Sequence, residues 1–297
     1  MKKAVIDLGT NTFNLLVGEV VKGTFCRIYS EKMSVLLGMG GINQGIITPD
    51  ALERAKDALR HFIFMCHEMD VMDVIGIGTS ALRASSNRSE LIEFAKDELD
   101  LQIKIVSGEK EAQLIYQGVK WLHDFDEKTV IMDIGGGSTE FIYVNKGQQQ
   151  NEVSMNVGVS RIFQHLGHPD EFTKAHFEEI DRFLNKNKGM FFDASKSPVL
   201  IGASGSFETL YKLSFHHELP ESKQLVNLPK KKLDDVIESI LFSSLEDRMN
   251  NPLISPIRKR MLPIAAYKVK WAMQNLSTKQ VLISPYSLKE GVFMEKI

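Results

Sequence analysis

Short apolar runs near the start of the chain predict β-strands that alternate with helices. Residues 4–8, 13–21 and 24–33 have the length and composition of strands, and Lys22 and Gly23 favour a turn between the last two. Thr48 and Pro49 are typical of a helix N-cap and first helical position, and apolar residues then recur with the helical period. The same reasoning predicts further strands over 71–77 and 103–106 and helices over 89–99 and 109–121.

The pattern begins again in the second half of the chain. Residues 129–134 form a predicted strand that ends in an Asp-x-Gly turn at Asp133, as the first strand does at Asp7, and a predicted hairpin follows each turn. Repetition at about the length of a domain indicates two copies of one α/β unit that face each other. We predict domains over 1–122 and 123–297, joined within a polar, acidic segment. The remaining predicted elements of the second half are strands over 140–144, 151–157, 199–201 and 280–283 and helices over 160–166, 174–187, 231–245, 258–275 and 288–295.

Composition narrows the class of protein. The chain has 297 residues and a formal net charge of -2, which fits two ordinary globular domains and gives no sign of a nucleic-acid partner. No apolar run approaches the roughly 18 residues of a membrane span, and the N-terminus turns polar too early for a signal peptide. Cys26 and Cys66 lack metal-ligand or redox spacing, which indicates reduced thiols. We therefore expect a cytoplasmic protein with no nucleic-acid or membrane partner.

Both Asp-x-Gly turns have the composition of phosphate-binding loops. Glycines let the backbone approach an anion closely, consecutive N–H groups form an anion-binding concavity, and neighbouring hydroxyls add donors. One such turn is also explained by a simple glycine hairpin, but two at domain spacing favour a shared site. A third small-residue segment at 202–205 fits either a phosphate loop or a helix N-terminus that needs small residues for packing. The predicted phosphate-binding residues are Gly9, Thr10, Asn11, Thr12, Gly135, Gly136, Gly137, Ser138 and Thr139.

The two turns also predict a cation. The aspartates Asp7 and Asp133 would repel a phosphate on their own, so they make chemical sense with a metal ion between them and the substrate. Mg²⁺ is commonly held by one or two carboxylates together with waters and substrate oxygens. We predict Mg²⁺ at this position, with Mn²⁺ as an alternative and K⁺ as an additional ion left open.

The motifs resemble, in the same order, those of the exopolyphosphatase / guanosine pentaphosphate phosphatase family within the actin-like superfamily. The resemblance spans nearly the whole chain and is densest up to Arg161. It implies two ribonuclease H-like (actin-like) domains, each a mixed β-sheet with flanking helices, with the active site in the cleft between them. The matching segments are residues 7–13, 78–83, 107–119, 133–140, 158–161 and 287–291.

The resemblance also implies residue roles. Glu111 matches the glutamate that acts as general base on the attacking water, and Arg83 matches an arginine that clamps the phosphate. Asp7 and Asp133 match metal-associated acids, and Glu140 an acid that helps to place the metal or the water. From the residues alone, Glu111 is better explained as an acid stabilised by the helix dipole, and Arg83 as a solvated residue at a helix end; the resemblance reverses this preference.

The predicted function is that of an exopolyphosphatase, which hydrolyses the terminal phosphoanhydride bond of inorganic polyphosphate and releases orthophosphate. Guanosine pentaphosphate as substrate, or a non-enzymatic polyphosphate or nucleotide sensor, are the alternatives. A kinase of the same superfamily would need a catalytic aspartate in the second domain, and no segment indicates one.

The C-terminal part of the chain adds three expectations. Longer members of the family carry a further helical domain, and because this sequence ends soon after residues 287–291, we expect the short, two-domain branch. A homodimer is left open by the resemblance. Arg258, Lys259 and Arg260 are candidate contacts for a long polyanion, although an acidic residue is common near position 260 in the family.

Overall fold

The strands in the first half of the chain form one mixed β-sheet. The computed structural model of the protein describes residues 2–220 and 224–295. The strands of this sheet lie in the order β3-β2-β1-β4-β5, with antiparallel pairing in the two hairpins and parallel pairing from β1 to β4 and β5. The strands are β1 (Lys3–Leu8), β2 (Thr12–Val21), β3 (Thr24–Ser34), β4 (Val74–Gly78) and β5 (Gln102–Ile105).

A second mixed sheet repeats this arrangement. Its order is β10-β11-β9-β6-β7-β8, in which β6, β7 and β8 form antiparallel hairpins and β6, β9 and β11 run parallel. The strands are β6 (Thr129–Ile134), β7 (Thr139–Asn145), β8 (Gln148–Met155), β9 (Val199–Gly202), β10 (Val226–Leu228) and β11 (Gln280–Ile283). Two hairpins followed by parallel strands in each sheet confirm the predicted repeat of one α/β unit.

Helices connect and cover the strands. In chain order they are α1 (Pro49–Glu68), α2 (Ser80–Ala84), α3 (Ser89–Leu99), α4 (Gly108–Lys120), α5 (Val159–His165), α6 (Lys174–Asn187), α7 (Phe191–Ala194), α8 (Gly205–Phe215), α9 (Lys230–Leu241), α10 (Leu245–Asn250), α11 (Leu262–Leu276) and α12 (Leu288–Met294), with a 3₁₀ turn at Pro256–Arg258 before α11. None of the helices in the described part of the chain has both the length and the apolar character needed to cross a membrane.

Several predicted boundaries were wrong for local reasons. The strand expected from residue 71 begins at Val74, because Val71 still donates its N–H to the Cys66 carbonyl at the end of α1. The helix expected over 231–245 ends at Leu241, and Ser244 caps the separate helix α10. The helix expected from residue 258 begins at Leu262, with a proline in its first turn. The small-residue segment at 202–205 leads into α8, as the helix N-terminus left open for this segment predicts.

Helices α4 and α12 join the two sheets. Their apolar residues belong to one buried cluster that also contains Val5 of the first sheet and Ile131 of the second. Separate clusters fill the opposite face of each sheet. The cluster around α4 and α12 therefore crosses the domain boundary expected after residue 122, and that boundary remains a prediction.

The crossing of α4 and α12 depends on two glycines. A Cβ atom added to Gly118 would lie 2.0 Å from the Ser287 carbonyl oxygen, and one added to Gly291 would lie 1.8 Å from that of Leu114. Both obstacles are backbone atoms, so a side chain at either position forces the helices apart. This close contact brings the residues that precede and begin α12 against the end of β1.

We predict that Gly118→Ala destabilises the protein, because the added methyl group separates α4 from α12. Overpacking of this kind costs about 1–3 kcal/mol of unfolding free energy, measurable by denaturant titration. Gln113→Ala, on the exposed face of the same helix, is the matched control and should change stability little. Equal stability of Gly118→Ala and the parent would contradict the prediction.

Candidate active site

A cavity of about 200 Å³ lies where β1 and β6 end, and residues from both halves of the chain line it. Both Asp-x-Gly turns form part of its wall. The first turn of α4 and parts of the segments 203–208, 257–265 and 284–290 also line it. The predicted cleft between two similar units is therefore present.

The first turn closes the β1–β2 hairpin. Asp7 pairs in the sheet with Asn14, whose Nδ2 donates to the Asp7 carboxylate at 3.0 Å. The Gly9 N–H donates to the Thr12 carbonyl at 3.1 Å, and a Cβ at Gly9 would lie 2.8 Å from that oxygen. The glycine is thus required by the turn itself, and the turn holds Asp7 at the cavity.

The second turn has the same construction with one substitution. Asp133 pairs with Glu140, at the register position that Asn14 occupies opposite Asp7. Ser154 Oγ donates to Glu140 at 2.7 Å, and Ser287 Oγ donates to Asp133 at 2.6 Å. The repeat therefore places an amide in one hairpin and a carboxylate in the other.

The two turns touch each other through glycines. A Cβ on Gly136 would lie 2.8 Å from Thr10 Cβ, and one on Gly137 would lie 2.5 Å from Ser80 Oγ. Any other residue at these positions would push the two halves apart. The backbone amides and hydroxyls of both turns thereby converge on one cavity.

Helix α5 fastens the two halves beside the turns. Ser160 Oγ donates to Asn11 at 2.7 Å. Arg161 donates through Nε to the Gly137 carbonyl and through Nη1 to the Ile42 carbonyl, both at 2.9 Å. The second turn is therefore linked to the loop that follows β3.

Glu111 lies in the first turn of α4, whose N-cap Ser107 accepts a hydrogen bond from the Lys110 N–H. The side chain is buried, and Arg83 Nη1 donates to its carboxylate and to the Val106 carbonyl, both at 2.9 Å. Burial and the nearby Glu140 charge raise the pKa of Glu111 well above its usual value, although Arg83 opposes them. The site thus holds a carboxyl group with increased basicity.

Six acidic side chains line the described part of the cavity wall: Asp7, Glu111, Asp133, Glu140, Glu208 and Glu290. Burial, and then the charges of Glu140 and Asp7, raise the pKa of Asp133 to about 7. Burial also raises the pKa values of Asp7 and Glu140. These shifts show that the carboxylates are poorly solvated and repel each other, which favours a positively charged ligand among them.

Basic side chains from several parts of the chain lie near this cluster. Burial lowers the pKa of Lys289, but Glu290, Asp7 and other carboxylates more than offset this effect. Lys32 and Arg258 also line the cavity, and the Gly205 position packs directly against the Arg258 guanidinium. Their positive charges make that side of the cavity suited to anions.

The three basic residues of the 258–260 segment have different surroundings. Arg258 lines the cavity, as expected of a polyanion contact. Lys259 Nζ donates to the Met249 carbonyl, and Arg260 pairs with Asp170. Only the first of the three faces the site.

Most of the predicted site residues meet at the cavity. Arg83 and Thr139 are not part of its wall: Arg83 reaches it through Glu111, and Thr139 lies behind the second turn. The predicted residues that line it are Asp7, Gly9, Thr10, Asn11, Thr12, Glu111, Asp133, Gly135, Gly136, Gly137, Ser138 and Glu140.

Sequence reasoning assigned no role to Asn14, Ser287, Lys289 or Lys268. Asn14 could have been identified, because Asp7 precedes Asn14 by the same number of residues as Asp133 precedes Glu140. Ser287 and Lys289 lie in a segment that had only been matched to the family. They reach the site through the packing of α12, which no local pattern reveals.

The carboxylates fit a metal ion that is bound partly by its substrate. Among the described residues, no group of three or more His, Cys, Asp or Glu side chains is arranged to hold an ion by itself. The charge of Asp7 is close enough to Asp133 to raise the pKa of Asp133. Mg²⁺ usually takes one or two carboxylates and completes its shell with water and phosphate oxygens, so the donor set is suitable.

Comparison with known proteins matches the chain to one family. The family model described as the Ppx/GppA phosphatase family matches residues 16–297. A guanosine-5'-triphosphate,3'-diphosphate pyrophosphatase from Aeromonas hydrophila is 26% identical over 293 residues, which cover 97% of this chain. The match spans 58% of that relative's length.

Solved structures share the fold over the full chain. The crystal structure of an exopolyphosphatase from Cytophaga hutchinsonii has a TM-score of 0.94 and 31% sequence identity, with 99% of this chain and 97% of that chain covered. An Aquifex aeolicus member of the Ppx/GppA family has a TM-score of 0.80 at 20% identity, covering 98% and 96% of the two chains. The latter similarity supports the fold alone.

We predict that stability without divalent metal falls as pH rises from about 4 to 7. The folded state binds the Asp133 proton more tightly than the unfolded chain, so raising pH through this window removes that stabilisation, at about 1.4 kcal/mol per pKa unit. Asp133→Asn should therefore show a shallower decline in urea titrations with chelator.

Asp73→Asn is the control for this measurement, because Asp73 is exposed and lies outside the cavity. That variant should keep the parent's slope. An Asp133→Asn protein that declines as steeply as the parent would disprove the stated origin of the pH dependence.

Proposed function

Because the chain belongs to the Ppx/GppA phosphatase family, we propose that it is a hydrolase that cleaves the terminal phosphoanhydride bond of inorganic polyphosphate and releases orthophosphate. The observation that carries this proposal is the buried Glu111 carboxylate in the same cavity as two glycine-and-hydroxyl turns. A site with phosphate-binding donors and an adjacent base is suited to attack by water on a phosphate.

In this proposal the two turns hold the terminal phosphate. Phosphoryl transfer needs little covalent chemistry from the protein, which must align the reacting groups and stabilise charge. Backbone N–H groups and the hydroxyls of Thr10 and Ser138 would donate to the phosphate oxygens. Their fixed positions in the closed turns limit the reorganisation required when charge develops.

Glu111 would accept a proton from the attacking water. A carboxyl group with a raised pKa is a stronger base than an exposed one, provided that it is ionised at the working pH. Arg83 stabilises the ionised form and fixes the orientation of the carboxylate. We therefore assign Arg83 to positioning Glu111, besides the phosphate contact that the sequence resemblance implies.

Mg²⁺ would be held by Asp7 and Asp133, with Glu140 beside them. When bound, it would neutralise phosphate oxygens and hold the substrate against the turns. Asn14 and Ser287, which donate to the two aspartates, would keep the carboxylates in place.

The cavity wall favours polyphosphate over a nucleotide. Lys32, Arg258 and Lys289 provide positive charge next to the turns, where further phosphates of a chain would lie. No aromatic side chain is present among the described residues of the wall, so a guanine base would have no stacking surface there. Guanosine pentaphosphate is the second candidate, supported by the similarity to the Aeromonas hydrophila pyrophosphatase.

We predict that Glu111→Gln lowers phosphate release from polyphosphate by about 10²- to 10⁴-fold, because the amide cannot accept the water proton. Phosphate release is measured with long polyphosphate, short polyphosphate, guanosine pentaphosphate and ATP, with Mg²⁺ and with chelator. Glu109→Gln, an exposed position two residues earlier on the same helix, is the control and should retain activity.

The substrate panel separates the candidates. Faster release from polyphosphate supports the exopolyphosphatase proposal, and faster release from guanosine pentaphosphate selects the second candidate. No release from any substrate, together with tight polyphosphate binding, would replace both with a sensor. Full activity of Glu111→Gln would refute the assigned base.

We predict that Arg83→Gln lowers kcat more than it raises KM, because it leaves Glu111 without its orienting partner. A loss confined to kcat is the kinetic sign of an interaction that acts on the reacting groups. Arg88→Gln serves as control, because the side chain of this nearby arginine donates to the Arg83 backbone carbonyl and not to the Glu111 carboxylate. A large rise in KM with unchanged kcat would favour the phosphate clamp instead.

A further inference from the structure

Lys268 is a buried cation close to the candidate site. Its side chain is 1% exposed in the middle of α11. The ammonium group donates to Thr139 Oγ1 and, at 2.6 Å, to the Val157 carbonyl oxygen. Both partners are neutral oxygens.

Burial of an ammonium group against neutral partners is costly. Burial lowers the pKa of Lys268 to about 7, although Glu140 and Asp133 act in the opposite direction. A methionine or leucine would fill such a position without the desolvation penalty. A charged side chain at the position of Lys268 therefore indicates a role other than packing.

The two oxygens that Lys268 binds belong to the frame of the site. Thr139 is the first residue of β7, directly after the second phosphate turn. Val157 precedes Gly158, the N-cap of α5, and α5 carries the contacts from Ser160 and Arg161 across the cleft. The Lys268 ammonium group thus connects the end of the second turn to the segment before α5, the helix that contacts the first half of the chain.

Lys268 lies one layer behind the cavity wall. Leu262 and Ala265 of the same helix line the cavity, whereas Lys268 does not. The positive charge is therefore separated from a bound phosphate by the turn itself. In a medium of low dielectric constant, such a charge still attracts an anion and offsets repulsion from Asp133 and Glu140.

We propose that Lys268 is a positioning residue whose ammonium holds the second turn in its phosphate-binding conformation and adds positive potential behind it. The inference rests on the proposed function, because it assigns the turn to substrate phosphate. Lys268 acts through Thr139 and the potential at the turn, not by touching the substrate.

Lys268→Met tests this role, since it removes the charge and keeps an unbranched side chain. We expect KM for polyphosphate to rise about tenfold or more, with a smaller change in kcat, because the lost interaction supports binding of the ground and transition states alike. The dissociation constant for inorganic tripolyphosphate with Mg²⁺, measured by calorimetry, should rise similarly.

Two further variants make the test decisive. Lys270→Met, two positions along the same helix and paired with Glu238 at the surface, should leave KM and tripolyphosphate affinity unchanged. Lys268→Gln keeps hydrogen-bond donors without the charge, and should still bind more weakly than the parent. If Lys268→Met does not fold, the affinity is measured on Lys268→Gln instead.

The outcomes separate this inference from the proposed function. Parent-like affinity of folded Lys268→Met or Lys268→Gln would overturn the proposed role of the charge. Failure of both variants to fold would also overturn it, because Lys268 would then serve stability alone. If the parent binds tripolyphosphate without releasing phosphate, the hydrolase proposal fails while the affinities still decide the role of Lys268. If the parent neither binds nor hydrolyses, both proposals fail.

Discussion

Repulsion among buried carboxylates is the constraint around which this molecule is organised. Asp7, Glu111, Asp133 and Glu140 converge on one cavity, and burial raises the pKa of each. A fold gains nothing in stability from such an arrangement, because each carboxylate loses hydration and meets like charge. The arrangement is intelligible for a site that receives a cation and a phosphate, whose charges complement the cluster and each other.

Neighbouring groups offset part of the electrostatic cost of burying these carboxylates together. Hydroxyl and amide donors reach three of the acids, and the Arg83 guanidinium reaches Glu111. Lys289 faces the cluster at the cavity, and Lys268 does so from behind the second turn. These partners come from widely separated parts of the chain, so the site forms only when both halves are folded and joined.

The joint between the halves is correspondingly tight. Glycines at the two turns and at the α4–α12 crossing allow the chain to approach its neighbours where a side chain would collide with them. Helix α12, near the end of the described chain, carries Lys289 in its first turn and follows directly on Ser287. Close packing at the crossing is thus what delivers the final charged residues to the site.

The sequence by itself determined the repeat, the order of strands in the hairpins and the residues at the two turns. These features depend on local periodicity and on turn chemistry, which are expressed within a few residues. The α4 location of Glu111 also followed from a local helix pattern. Strand β10 was not found, and helix α8 was foreseen only as one of two interpretations of residues 202–205, since a short strand and a helix that begins with small residues give little local signal.

Only the tertiary structure decided which charges meet. It showed that Arg83, outside the cavity wall, holds the carboxylate of Glu111, which lines the cavity. It also showed that Arg258 faces the cavity while Lys259 and Arg260 bind elsewhere, and that Lys268 is buried beneath the second turn. The local sequence around a lysine or arginine does not show whether its side chain lies on a solvated face or in the core. Its role depends on electrostatic partners distant in sequence, and folding alone brings these together.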